Sequence, residues 1–411
     1  MIKILTFTTL YPNTKQPSHG IFVENRLANL IGRADIDATI IAPVAYVPVI
    51  DAIPERYRVL RDIPLREQRR GLMVHHPRYF LLPKISMSVA PFSLYLAARQ
   101  YLAQLMASGF TFDLIDAHYF YPDGVAAVLL GRHFNKPVII TVHGSDINII
   151  PRFRLPRGMI RWAAGHCAAI VTVCDYLKQS VVGLGIDPAK ILLGRNGVDL
   201  AKFRLGDRDA ARRRLGFTGT TLLSVGNLIP LKGHDLAIRA LASLPEARLA
   251  IVGGGPERAN LERLAVRLGL GDRVRFFGRV PHDALPEIYL AADALLLLST
   301  SEGLANVLIE AMACGTPVIA TPVGGTPEVV TSPAVGELVA ERNPAAAAAA
   351  IAKVVERGAD RRAVRAHAEA FSWEATTSAL PALFAGIARA HATKTEMKAL
   401  EREVGSERLT L

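Results

Sequence analysis

The chain has 411 residues, half of them hydrophobic and 21% charged, a globular rather than a disordered composition and enough length for two domains that each bury a core. No apolar run reaches the roughly 18 residues of a membrane span, and the longest candidate, Leu285 to Leu298, is broken by Glu287 and Asp293. The net charge of +11 is uneven, with 22 Lys/Arg against 14 Asp/Glu in residues 1–200 and 26 against 23 in the rest, so an anionic substrate, an anionic lipid surface or nucleic acid would each suit the N-terminal half.

Ile2 to Leu10 is apolar, ends in Tyr11-Pro12 and lacks a small-residue cleavage site, so it reads as a buried strand and not a signal peptide. From there, short apolar runs alternate with helical patterns. Ile2–Thr8, Ala38–Ala42, Leu114–Asp116, Val138–Val142 and Ile170–Val173 predict one set of buried parallel strands. Thr221–Val225, Arg248–Val252, Val274–Phe277, Ala294–Leu298 and Val318–Ala320 predict a second. A β-α-β rhythm played twice predicts two doubly wound, Rossmann-like α/β domains, over about 1–200 and 201–373, with the join near Gly197–Gly206. Asp207–Leu215 reads as a helix capped by its Asp, and Asn343-Pro344 as a helix start with Asn as cap and Pro in the first turn. A last helix, about 374–391, is expected to pack back on the N-terminal domain. The charge-dense tail, 394–411, is expected to fray. Cys167, Cys174 and Cys314 are an odd set without a Cys-x-x-Cys pair, which argues against disulfides and zinc and fits a reducing cytoplasm.

The most informative stretch is Ser301-Glu302-Gly303-Leu304-Ala305-Asn306-Val307-Leu308-Ile309-Glu310, running on through Gly315-Thr316-Pro317-Val318. It follows a predicted strand, turns, and opens a helix near Ala305. Gly303 lets backbone approach a ligand, and free amides at a helix start suit a phosphate. Glu310 lies among apolar residues, an expensive place for a carboxylate without a partner; ribose hydroxyls would be one. The plainer alternative is a helix capped by Glu302, with Glu310 in a structural salt bridge.

The segment resembles the Glu-x7-Glu motif of glycosyltransferase family 4, a retaining family of GT-B fold, and the likeness extends to Gly324-Gly325-Thr326-Pro327-Glu328. The resemblance implies two Rossmann-like domains facing across a cleft and a nucleotide-diphosphate sugar as donor. It implies that Glu302 touches the donor sugar, that Glu310 holds the ribose, and that amides around Leu304–Val307 hold sugar hydroxyls and phosphate. Ser224-Val225-Gly226-Asn227, then Leu231-Lys232-Gly233-His234-Asp235, is a second match. A lysine there neutralises a leaving diphosphate; alone, Lys232 would be taken for a solvated loop residue. The family usually has Arg where this chain has Asn227. Tyr11-Pro12-Asn13 and His19-Gly20-Ile21-Phe22-Val23-Glu24 resemble the family's glycine loop, so the Gly20 amide is expected to face the diphosphate; otherwise Gly20 is a turn glycine.

Asp116-Ala117-His118 and Thr141-Val142-His143-Gly144-Ser145-Asp146 both end strands. The second is similar to the family's His-Gly segment, whose His sits beside the transferring sugar, which raises His143 above an ordinary strand-end histidine. His118, Asp146 and Asn196 are expected to support the site. Arg195-Asn196-Gly197-Val198-Asp199 matches the family's domain junction. Phe277-Gly278-Arg279-Val280 matches the loop that meets the base, which brings in Arg279 and Val280. Ile251-Val252-Gly253-Gly254-Gly255-Pro256-Glu257 is a glycine turn but not Gly-x-Gly-x-x-Gly, so no nicotinamide cofactor is expected.

Asp35-Ile36-Asp37 and Asp207-Arg208-Asp209 are explained by turn and cap roles, and no metal is expected. Pro151–Trp162 interleaves Arg152, Arg154, Arg157 and Arg161 with Phe153, Leu155 and Met159, and Pro83–Phe92 adds apolar character. These segments are either ordinary helix surface or contacts with a membrane face where a lipid-linked acceptor sits. The resemblance to the family covers about residues 1–390, and the N-terminal region, especially Tyr11–Glu24, is most similar to retaining enzymes of surface or exopolysaccharide assembly. The rivals are a sugar-nucleotide epimerase of the same fold and a basic nucleic-acid-binding protein. No aromatic-basic recognition module supports the second.

Overall fold

Val138–Val142 and Val318–Ala320 are strands with the bounds read from the sequence, and all their residues are buried, as continuous β-branched runs covered on both faces must be. A computed structural model of the chain describes residues 1–31, 35–47, 55–81 and 86–407. It divides into a first unit of residues 1–173, 178–194 and 377–411 and a second of 174–177 and 195–376.

The strands of the first unit are β1 (Ile2–Phe7), β2 (Ile36–Ile41), β3 (Val44–Tyr46), β4 (Arg66–Arg69), β5 (Leu72–His75), β6 (Arg78–Phe80), β7 (Leu114–His118), β8 (Val138–Val142), β9 (Ala169–Thr172) and β10 (Ile191–Leu193). Eight form one sheet in the order β10-β9-β8-β7-β1-β2-β5-β4, parallel except for β4 against β5; β3 and β6 pair separately. One face is filled by Ile4, Leu114, Ile139 and Val171 packed with Val23, Leu27 and Leu30 of the helix Ile21–Ile31 and with Leu380 and Phe384. The last two lie on the helix Leu380–Glu407. That helix continues through much of the segment expected to fray. Thr393–Glu401 is rich in Lys, Glu, Met, Ala and Leu, and such residues lose little side-chain freedom in a helix.

The second unit holds β11 (Thr220–Val225), β12 (Ala247–Val252), β13 (Val274–Gly278), β14 (Ala294–Leu297), β15 (Val318–Ala320) and β16 (Gly336–Leu338), all parallel, in the order β13-β12-β11-β14-β15-β16. Helices His234–Leu241, Arg258–Arg267 and Pro344–Arg357 cover a core built on Leu222, Leu249, Ile251, Leu296 and Leu298. Fully burying each such leucine contributes about 1.5–3 kcal/mol. Asp207 caps the helix Arg208–Leu215 through the Ala210 amide, 2.9 Å, and Asn343 caps its helix through the Ala346 amide, 2.8 Å, with Pro344 in the first turn.

The strands absent from the sequence pattern are short or polar. β3, β6, β10 and β16 have three residues each. β4 reads Arg-Glu-Gln-Arg, a charged edge strand without apolar alternation.

Candidate active site

From β11 the second sheet grows one way through β12 and β13 and the other way through β14, β15 and β16. The loops after β11 and β14 therefore flank a reversal of strand order, the place where open α/β sheets accept ligands. The loop after β14 presents Glu302. Its Oε1 accepts from Ser299 Oγ at 2.6 Å and from Lys232 Nζ, in the loop after β11, at 2.7 Å. Lys232 is thus an ion-paired, half-buried residue rather than a solvated one. The Thr300 amide donates to the Leu231 carbonyl at 2.9 Å and fastens the two loops together. From behind, Gly324 adopts φ +58°, and a Cβ there would lie 2.1 Å from the Glu302 carbonyl oxygen. Only glycine combines that backbone with that approach. The Gly325 amide donates to the Gly303 carbonyl at 2.8 Å, so Gly324-Gly325 is the floor of the Glu302 turn. Glu328 accepts from the Asp175 and Tyr176 amides and from Arg195 at 2.9–3.1 Å.

The helix Asn306–Ala313 starts at Ala305 without a side-chain cap. Glu302 does not cap it, contrary to the plainer sequence reading. Gly303, Leu304 and Ala305 are buried, while Asn306 and Val307 are half-buried at the helix start. An uncapped first turn points backbone amides and the positive end of the helix dipole outward. Asn306 Oδ1 accepts from Asn196 Nδ2 at 3.1 Å, which brings Asn196 to this turn.

Glu310, one turn further on, is 9% exposed. Its partners in the fold are protein groups: His282 Nε2 donates to Oε1 and Tyr289 OH to Oε2, both at 2.9 Å. Lys202 Nζ lies 2.7 Å from His282 Nδ1. An ammonium only donates, so Nδ1 holds the lone pair and Nε2 the proton that Glu310 receives. The carboxylate is held in one orientation with lone pairs to spare. Sequence reading missed His282, Tyr289 and Lys202. The legible signal was Tyr289, a phenol inside an apolar run whose hydroxyl needs a partner once buried.

The remaining candidates of this unit lie on neighbouring loops. Arg279 is exposed and Val280 half-buried just after β13. Asn227 is exposed, and its carbonyl accepts from His234 Nε2 at 3.2 Å, while Ser224 Oγ donates to His234 Nδ1 at 2.8 Å. Burial pushes the His234 pKa down to about 4, so a neutral ring braces the Asn227 turn.

The first sheet reverses between β1 and β7. In the loop after β1, Gly20 has φ +66° and a Cβ there would lie 2.2 Å from the Leu10 carbonyl oxygen; the fold requires glycine whether or not a ligand approaches. The loop is tied to the turn after β7, where buried Asp123 accepts from the Thr9 amide and, at 3.1 Å, from Thr9 Oγ1. His143 follows β8. Asp146 fixes its turn by accepting from the Gly144 and His143 amides at 2.7 and 3.2 Å and from the Phe120 amide at 2.8 Å. His118 Nδ1 lies 3.1 Å from His143 Nε2, and His118 Nε2 lies 3.1 Å from Asp116 Oδ2. The Phe22 ring packs against His143 with centroids 4.7 Å apart. His118 and Asp146 thus both touch His143.

Among the described residues, no group of three or more His, Cys, Asp or Glu stands together as a metal site, and no helix is long and apolar enough to cross a membrane. Asp35 pairs with the N-terminal ammonium. Cys167, Cys174 and Cys314 are buried free thiols. Arg152, Arg154, Arg157 and Arg161 are exposed together with Phe153 and Leu155, at 48% and 62%. Pro83–Phe92 lies partly outside the described residues; within them, Met87 and Phe92 are exposed.

Two doubly wound α/β units, one with a paired Lys-Glu loop and an uncapped helix at its strand-order reversal, define the GT-B class of glycosyltransferase. A model described as "Glycosyl transferases group 1" matches residues 207–371, and one described as "Glycosyltransferase Family 4" matches residues 26–202. The chain is 40% identical over 311 residues to a D-inositol 3-phosphate glycosyltransferase of Geodermatophilus obscurus, covering 69% of each. Against other proteins of that name the match spans about half of their length. It is 30% identical over 334 residues to TuaC of Bacillus subtilis, a glycosyltransferase named for teichuronic acid biosynthesis, covering 79% of this chain and 82% of that one. In fold it matches a sucrose-phosphate synthase from Thermosynechococcus elongatus, with a TM-score of 0.74, 21% identity, and 99% and 100% of the two chains covered. The chain belongs to the family 4 glycosyltransferases.

Proposed function

We propose that this glycosyltransferase moves a sugar from a nucleoside-diphosphate donor to a hydroxyl of a glycan or lipid-linked acceptor, with retention of anomeric configuration and no resident metal or cofactor, in polysaccharide assembly. The Lys232–Glu302 pair beside the uncapped helix at Ala305 carries this reading. As the sugar–phosphate bond breaks, negative charge gathers on the diphosphate. Lys232 has three donors and uses one on Glu302, so it can meet that charge without leaving its place. The helix start adds its amides and dipole. Glu310, held by His282 and Tyr289, is the ribose acceptor; Glu302 and His143 are the contacts for the transferred sugar, and the Gly20 amide contacts the diphosphate. Asn227 has no charge where the family usually has Arg, so Lys232 carries more of the neutralisation.

The polysaccharide role draws on the likeness to TuaC, and the inositol-phosphate relatives add a second acceptor chemistry to try. A panel of nucleotide sugars, each with lipid-linked glycan or inositol phosphate, tests the reading by mass detection of product and released nucleotide and by the product's anomeric NMR coupling. Release of nucleotide that depends on acceptor supports it. Conversion of the donor alone into an epimer refutes it.

A peripheral site on an anionic cytoplasmic membrane face would place the acceptor near Arg152, Arg154, Arg157 and Arg161. Anionic vesicles should bind the protein at low salt and release it as salt rises. Changing the four arginines together to Ser should abolish that; unchanged binding rules the segment out.

A further inference from the structure

We propose that Asp116, acting through His118, is a positioning residue that fixes the ring tautomer of His143, so that His143 offers a bare Nδ1 to a sugar hydroxyl and takes no part in neutralising the diphosphate. The inference rests on the proposed function and specifies His143's part in it.

Proton accounting carries the argument. Asp116 is 1% exposed at the end of β7, and its Oδ2 can only accept when ionised. His118 must therefore keep its proton on Nε2, leaving a lone pair on Nδ1. That lone pair faces His143 Nε2 at 3.1 Å, so His143 must donate there and keep its own lone pair on Nδ1. Nδ1 is shielded and has no hydrogen-bond partner among the described residues. The chain thus ends on an unpaired acceptor, which fits a hydroxyl and repels a phosphate oxygen. In the opposite arrangement, with His118 Nδ1 protonated, every proton moves over and Nδ1 of His143 becomes a donor.

The surroundings favour the first arrangement. Arg26, 2% exposed on the helix Ile21–Ile31, donates to Thr141 Oγ1 at 2.8 Å and lies close enough to Asp116 to stabilise its charge. Burial alone would raise the Asp116 pKa, but His118 and Arg26 outweigh it and hold the group below the usual value. Burial lowers the pKa of His118. Burial, His118 and Arg26 together press that of His143 well down. Burial, the largest cause at each ring, favours neutral imidazoles beside a charged Asp116. Asp146 is spent on backbone amides and Phe22 packs against the His143 ring, so neither competes for Nδ1.

The test is 15N NMR of the histidine-labelled full chain without donor, beside kinetics. In the wild type, His143 should show the Nε2–H pattern. In Asp116→Asn, the neighbouring Arg26 guanidinium draws the amide oxygen and leaves the NH2 facing His118, so both rings switch and His143 should show Nδ1–H. That variant should lose at least tenfold in turnover and keep its nucleoside-diphosphate Kd within about twofold. A wild-type His143 protonated on Nδ1 overturns the proposal, as does an Asp116→Asn protein with unchanged tautomer or unchanged turnover. If Asp116→Asn does not fold, the wild-type spectrum alone decides. Since the spectrum needs no donor, normal turnover in His143→Ala beside the expected tautomer refutes the placement of the sugar and not the relay.

Discussion

Removing the Glu310 carboxylate should have two separable consequences. In Glu310→Ala, the Tyr289 hydroxyl, in a residue 0% exposed, and the His282 Nε2–H both lose their acceptor. An orphaned buried donor costs about 1–3 kcal/mol, and His282 is partly reached by water, so the fold should weaken by roughly 2–4 kcal/mol. In Glu310→Gln the amide oxygen still accepts from His282, and its NH2 can donate to the Tyr289 oxygen, which leaves only the phenolic proton unpaired, so stability should fall by about 1–2 kcal/mol, less than in Glu310→Ala. Both variants lose the charged acceptor proposed for the ribose. Their affinity for a nucleoside diphosphate should drop by about 1.5–3 kcal/mol, or roughly 10- to 150-fold in Kd. Urea denaturation gives the first quantity and titration calorimetry the second. Glu310→Gln is the decisive protein because it keeps the fold: if it binds the nucleotide like the wild type, Glu310 is not at the ribose. If Glu310→Ala unfolds at the wild-type urea midpoint, the orphaned-donor argument is wrong.

Lys232→Ala should lower turnover by roughly 100-fold or more, as removal of one stabiliser of developing charge does, and Lys232→Arg should not fully restore it because a planar fork replaces a point charge; turnover within threefold of wild type would remove Lys232 from the chemistry. Burial lifts the Asp123 pKa to about 7, partly offset by the Thr9 hydrogen bonds. A folded-state value above the unfolded one of about 3.9 means stability that is full at acidic pH and declines as pH rises from about 4 through 7, by on the order of a few kcal/mol. Asp123→Asn, which can keep both Thr9 contacts, should flatten that slope in urea melts at pH 5 to 8; parallel curves for variant and wild type point to another group. Turnover should continue in excess chelator, since Lys232 and the helix start supply the positive charge, and a loss that magnesium reverses counts against the metal-free reading.

How much of this was readable in advance follows from the range of the forces involved. Strands such as Val138–Val142 were legible because a strand buried on both faces must be apolar along its own length. The Asp207 and Asn343 caps were legible because a cap bonds an amide three residues away. Glu302, Lys232 and Glu310 were singled out by the resemblance to family 4; residue type and spacing alone left Lys232 a solvated loop residue and the two glutamates a cap and a salt bridge. Which partners they have was set only by tertiary structure. Lys232 and Glu302 are 70 residues apart, Glu310 and His282 are 28 apart, and Asn196 and Asn306 are 110 apart. The order of strands in each sheet brings those loops together, and strand order depends on how whole faces pack, not on any local pattern. The roles of Gly324 and His118 were hidden for the same reason. A glycine is required only where a distant carbonyl crowds it, and the free nitrogen of a histidine is chosen by whatever stands on its other side.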